Sequence, residues 1–288
     1  MINKKYKDRL FCLLFGNEEY KDNILSLYNA LCNTSYTNTD DIQIYTIEDV
    51  IYIKMKNDVS VLLDSFLYLW EQQSTFNPNM PIRGLLYFGK MYDKYITENH
   101  LNIYGKALIK LPTPKYTVLY NGMDEQPAFM QLRLSDSFIN PYTSGDFEWT
   151  ANMINLNDGK NDDLLDKCQP LKEYMILINE IRKNSVSMGF EDAVDTAVTY
   201  CIEHNVLKRF LLKHRAEVLD MCITEYNEKS FVDGIREEGR KEGRTEGRKE
   251  GQNLLATVVL RLRNGETPEQ ILASGVDAKT IELAETIK

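Results

Sequence analysis

The sequence predicts an α+β (α/β-like) fold, and two observations carry that reading. Apolar residues recur at three- and four-residue spacing over 6–33, 79–96 and 171–230, as on one face of a helix. Between 42 and 156, outside the middle helix, they fall instead in short β-branched and aromatic runs. The resulting order is helix, strands, helix, strands, helices, which suggests a mixed domain over 1–160 with a helical extension.

Composition bounds the rest. The chain has 288 residues, 43% hydrophobic and 27% charged, which is ordinary globular composition and enough length for one large domain with a smaller appendage. Lys and Arg number 34 against 43 Asp and Glu, for a net charge of −9. That balance argues against a protein that coats nucleic acid by bulk charge, and leaves room for an enzyme with a local basic groove. The five cysteines and three histidines are dispersed, without C-x-x-C or zinc-ligand spacing. The text after Met1 has no signal-peptide core, and no apolar run approaches the roughly 18 residues of a membrane span. A soluble cytoplasmic protein with reduced thiols and no membrane partner is expected.

The elements follow in order. Leu10, Leu13, Leu14, Ile24, Leu25, Leu27, Tyr28 and Leu31 mark helix over 6–33, broken near Gly16-Asn17. Ile42, Ile44 and Tyr45 read as a strand, as do Val59–Leu63 and Phe66–Trp70. Leu85, Leu86, Tyr87, Met91 and Tyr95 give the stripe of a helix over 79–96. Strands are expected at Tyr116–Tyr120, Phe129–Leu134 and Phe147–Leu156, and helices from Leu171 to about 230. Residues 236–251 repeat Glu-Gly-Arg at a four-residue period, with Gly239, Gly243, Gly247 and Gly251 in one stripe. On a helix that stripe drifts only about 40° per repeat. The bare face could seat a partner helix with Arg opposite Glu, predicting a homodimer; a flexible charged linker is the alternative. Leu254–Leu262 reads as a short helix. Thr267-Pro268-Glu269-Gln270 has the cap and first-turn proline of a second helix, and Asp277 caps a third.

The text from Lys56 to Ser74 is the most informative. If Asp64-Ser65 is a two-residue hairpin turn, opposed residues sum to 129: Leu63 meets Phe66, and Asp58 meets Glu71. Directly opposed Cβ atoms lie about 5 Å apart. Period-two alternation adds Gln73 to the face of Asp58 and Glu71, and gives the opposite face, turned to the core, to Val59, Val61, Leu63, Phe66, Tyr68 and Trp70. Two opposed carboxylates repel unless a proton or cation lies between them, and Mg²⁺ with its preference for oxygen ligands would resolve the conflict. A solvated hairpin end with two unrelated acids is the other reading of the same text.

This hairpin resembles the core of the PD-(D/E)XK nucleases. The chain more specifically resembles the Rpn family of recombination-promoting, transposase-like nucleases. The matching text is Asn57-Asp58-Val59-Ser60, Glu71-Gln72-Gln73-Ser74-Thr75, Asn79-Met80-Pro81-Ile82-Arg83 with Tyr87, Lys110-Leu111-Pro112-Thr113-Pro114, Leu119-Tyr120-Asn121-Gly122, Leu132-Arg133-Leu134-Ser135-Asp136, Tyr200-Cys201-Ile202 and the Glu-Gly-Arg repeat. The resemblance spans nearly the whole chain and is carried by the order and spacing of these pieces. It implies a restriction-endonuclease-like core, with a mixed sheet flanked by helices, over 1–160, a helical extension over 161–234, and a dimerising tail over 235–288. It implies Mg²⁺- or Mn²⁺-dependent hydrolysis of DNA phosphodiesters, linked to recombination, mobile elements or phage defence.

Under that resemblance Asp58, Glu71 and the backbone carbonyl of Gln72 hold the metal, and Gln73 orients the attacking water where the superfamily has lysine. Arg83 and Tyr87, four apart on the next helix, face the site, with Arg83 on phosphate and Lys90 further along the DNA track. Asp8 and Glu19 are candidates for an additional acid. A catalytically weak or inactive nucleic-acid-binding or assembly protein that keeps the nuclease fold is the alternative. No nucleotide-binding glycine loop and no G-x-S-x-G elbow supports other chemistry.

Overall fold

The structure, a computed structural model, describes residues 5–45, 59–140, 144–222 and 254–287. The chain divides into two compact units, Met1–Tyr226 and Asn227–Lys288.

In the first unit, helix α1 (Lys5–Phe15) and helix α2 (Lys21–Cys32) are separated at Gly16-Asn17 by a short 3₁₀ turn, Glu18–Tyr20, which the Asn17 side chain caps. Strands β1 (Gln43–Ile44), β2 (Val59–Leu63) and β3 (Phe66–Gln73) follow. Helix α3 (Met80–Glu98) then leads to β4 (Thr113–Tyr120), β5 (Phe129–Arg133) and β6 (Thr150–Asn155). Helices α4 (Asp162–Lys167), α5 (Gln169–Asn184), α6 (Phe190–Glu203) and α7, helical over 208–222, complete the unit.

The strands form one mixed sheet in the order β1-β2-β3-β4-β6-β5. β1 pairs antiparallel with β2, and β2 with β3; β3, β4 and β6 are mutually parallel; β5 closes the edge antiparallel to β6. A parallel pair needs a crossover connection, and α3 supplies it between β3 and β4. The β2–β3 register is the one read from the sequence, from Val59 opposite Trp70 to Leu63 opposite Phe66. Asp64 and Ser65 have φ of 50° and 63°, the paired left-handed conformation of a type I′ turn.

The sheet is covered on both faces. Val59, Val61, Leu63, Tyr68 and Trp70 pack into a core with α1, α2, α5 and α6, as the alternation requires. The other face, which carries Glu71, is also covered: Leu67 and Leu69 pack with Met80, Tyr87, Phe88 and Met91 of α3 and Tyr116, Val118 and Tyr120 of β4. The helices expected as an extension from 161 share the first of these cores with α1 and α2, so their packing continues the 1–160 region without a break. Within the extension, Pro170 starts α5, and a turn with Asn205 and Leu207 at φ 61° and 46° separates α6 from α7.

In the second unit the expected helices form over 254–263, Pro268–Ala273 and Ala278–Ile287, around Val258, Leu262, Ile271, Ile281 and Ala284. Thr267 and Gln270 make a reciprocal capping box, and Asp277 accepts the Thr280 backbone N–H at 3.0 Å. The glycine repeat over 236–251, with the dimer contact expected of it, lies outside the described residues. Among the described residues no helix is long and apolar enough to cross a membrane.

Candidate active site

The hairpin register fixes which way each residue at the end of β3 points. Glu71 lies on the α3 face and is fully buried. Its Oε1 accepts from Arg83 Nη2 at 2.8 Å, and its Oε2 accepts from the Tyr116 hydroxyl. The same Arg83 nitrogen lies 3.4 Å from the Tyr87 hydroxyl, so Arg83 and Tyr87 meet on one face of α3, one turn apart. Gln73, half-buried at the end of β3, shares the Glu71 face by alternation and is tied through its carbonyl to the Asn121 N–H.

Gly84 sets the distance between α3 and the sheet. A Cβ there would come within 2.6 Å of Tyr116 Cδ1 and 2.9 Å of Trp149 Nε1. With only hydrogen at that position the helix lies directly on the Tyr116 ring. Arg83, which precedes it in sequence, is thereby brought to Glu71.

Burial pushes the Glu71 carboxyl above the usual carboxylate range, while Arg83 and the Tyr116 hydroxyl pull it back toward the ionised form. Burial also disfavours the Arg83 charge, but Glu71 and Tyr87 outweigh it and hold the guanidinium protonated. The Tyr116 hydroxyl is driven well above its ordinary value by burial and by the adjacent carboxylate, so it acts as a donor. Arg83 gives Glu71 a single N–H. Its Nη1 has only a 3.7 Å approach to Met80 Sδ, and its Nε is buried without a hydrogen-bond partner.

Gln72 points to the opposite face, as alternation requires, into a buried polar network. Its amide donates to Asn121 Oδ1 at 2.7 Å; Asn121 Nδ2 donates to the Tyr174 hydroxyl at 3.3 Å, and that hydroxyl donates to the Lys7 carbonyl. Arg182 donates to the Asn121 carbonyl and, at 3.3 Å, to Asn157 Oδ1. The network ties the end of β3 to α1 and α5.

The expected site residues are therefore sorted by the sheet. Glu71, Gln73, Arg83 and Tyr87 share the α3 face. Asp8 belongs to α1, which packs on the Gln72 side of the sheet, and Glu19 pairs with Lys213 at 2.5 Å. Lys90 is exposed two turns beyond Arg83. Asp58 lies outside the described residues. The residue missed from sequence is Tyr116. Its place opposite Leu69, diagonal to Glu71, comes from a parallel register between segments more than forty residues apart.

Among the described residues no group of three His, Cys, Asp or Glu side chains is placed to hold a metal ion. Glu71 offers hard oxygen donors that suit Mg²⁺ or Mn²⁺. A carboxylate has about four lone-pair sites, so each of its oxygens keeps acceptor capacity beyond the bond to Arg83 or Tyr116. Comparisons with protein-family models, curated proteins and solved structures find no match.

Proposed function

We propose that the chain is a metal-dependent DNA endonuclease that hydrolyses phosphodiester bonds. The observation that supports it best is a buried carboxylate, Glu71, at the end of a hairpin strand, with Arg83 and Tyr87 delivered to it by the following helix. Extending the ladder by one pair would set Asp58 opposite Glu71. Those two carboxylates, with the Gln72 carbonyl, would hold Mg²⁺ or Mn²⁺. Such an ion lowers the pKa of bound water and stabilises charge on the phosphodiester. Gln73 would orient the water by hydrogen bonding. Arg83 would bind a phosphate oxygen, with Tyr87 steadying the guanidinium and Lys90 lying on the DNA path.

Plasmid nicking with Mg²⁺ or Mn²⁺ tests this, comparing wild type with Asp58→Ala and Glu71→Gln purified identically. Glu71→Gln is chosen because alanine would strand Arg83 as an unpaired, half-buried charge, at a cost of about 3–5 kcal/mol. Loss of nicking in both variants is expected; nicking retained in both refutes the assignment.

One observation favours a second reading, that of a nucleic-acid-binding or assembly protein without useful catalysis. Glu71 is closed off by Arg83 and Tyr116, as in a structural ion pair. Thermal melts separate the two. A metal site raises the melting temperature with increasing Mn²⁺ by mass action, and an ion pair alone gives no response.

A further inference from the structure

The arrangement around Glu71 sets two charges in competition. The guanidinium that would receive a phosphate is bonded to the carboxylate that would receive the metal, at 2.8 Å. Arg83 is poorly satisfied there: it spends one nitrogen on Glu71 and Tyr87, meets only a thioether with the second, and buries the third without a partner. Its side chain is 21% exposed while that of Glu71 is 0% exposed, so Arg83 is the member of the pair that solvent and ligands reach. An oxyanion with several acceptor atoms can use the donors that Glu71 leaves idle, in the forked geometry that arginine offers phosphate.

We propose that Arg83 is a latch that couples anion and cation binding at this site. In the free protein the guanidinium neutralises Glu71 and opposes a divalent cation. A phosphodiester oxyanion draws Arg83 onto itself, and the Glu71 charge becomes available to the metal. DNA phosphate and metal then bind with positive cooperativity, and the same factor operates in both directions. The inference rests on the metal-site reading above and deepens it. The cation is held weakly until substrate arrives, which restrains the site when no DNA is bound. Tyr116, which donates to the other carboxylate oxygen, keeps Glu71 in place while Arg83 moves.

The test is Mn²⁺ affinity of the full chain without DNA, read by metal-dependent melting and by titration calorimetry. The proteins are wild type, Arg83→Gln, Arg83→Lys and Glu71→Gln. Arg83→Gln keeps a donor for Glu71 and removes the charge, so it should bind Mn²⁺ about tenfold tighter than wild type, within the usual range of coupling. Arg83→Lys restores the charge and should return the affinity to the wild-type level. Equal affinity in wild type and Arg83→Gln, with binding lost in Glu71→Gln, overturns the latch and leaves the metal site standing. Binding unchanged in Glu71→Gln overturns both. If Arg83→Gln does not fold, wild type decides through a reciprocal titration with a short DNA duplex, using Ca²⁺ so that binding is read without cleavage. Cation affinity must rise with DNA and DNA affinity must rise with cation by the same factor; no change in either overturns the latch.

Discussion

Replacing a helical glycine with alanine has two opposed effects, and α3 holds one glycine on each side of the balance. Alanine lowers the cost of helix formation by about 0.8–1 kcal/mol at either position. At Gly89 the added methyl meets nothing within 4 Å, so that gain stands alone. At Gly84 the methyl would press on Tyr116 at 2.6 Å and on Trp149 at 2.9 Å. Neither neighbour yields easily. Both are rigid rings, Tyr116 is bonded to Glu71, and Trp149 packs edge-on against Phe88 with centroids 4.8 Å apart. Overpacking of this kind costs about 1–3 kcal/mol, and the closeness of two rigid contacts places it at the upper end. Gly84→Ala is therefore expected to destabilise by about 1–2 kcal/mol net. Gly89→Ala should stabilise by somewhat under 1 kcal/mol. For a unit of this size, 1 kcal/mol moves the melting temperature by about 2–4 °C. The pair should differ by roughly 5–10 °C in opposite directions from wild type. Differential scanning calorimetry at fixed protein concentration, supported by urea melts, reads this directly. Equal shifts of the same sign would refute the claim that α3 rests on Tyr116 through Gly84.

Further expectations follow from the same contacts. Asn121→Ala removes an acceptor of the Gln72 amide and a donor to the Tyr174 hydroxyl, and should cost about 0.5–1.5 kcal/mol for each hydrogen bond lost, seen as a lower urea midpoint. Trp70→Ala empties a fully buried site in the core shared with α1 and α2 and should cost about 3–5 kcal/mol, read as a lower urea midpoint by circular dichroism. Thr267→Ala breaks the capping box and should weaken the second unit by about 1 kcal/mol, visible as faster amide exchange over 268–273. Burial holds the Cys201 thiol up at about 12, against 9.0 when exposed. The native state keeps that proton while the unfolded chain loses it, so this contribution to stability is complete below pH 9 and is lost as pH climbs toward 12. Thiol reagents at pH 8 should leave Cys201 unmodified until denaturant is added; immediate reaction in the native protein would refute its burial.

Much of this molecule is written in local signals. The Asp64-Ser65 turn sets the β2–β3 register, because two residues able to adopt positive φ close a hairpin in one way only and fix every pair behind them. The break at Gly16-Asn17, the Thr267 capping box and the Asp277 cap are likewise legible, since each is satisfied within four residues. The approach of Arg83 to Tyr87 follows from helical spacing alone.

Tertiary structure decided what those residues face. The sequence assigns one face of the hairpin to the core, but α3 covers the other as well, and Glu71 goes from a strand-end acid to a fully buried carboxylate. Its partner Tyr116 arrives through a parallel pairing, whose register no turn fixes, because the connecting crossover leaves the offset to side-chain packing. Residues that the sequence offered as companions go to different elements: Asp8 rides on α1, which packs on the Gln72 side of the sheet, and Glu19 pairs with Lys213 on α7. Local rules govern backbone geometry over a few residues. Whether a carboxylate meets a guanidinium, a hydroxyl or water depends on segments brought together from across the chain, and on a glycine that lets them approach.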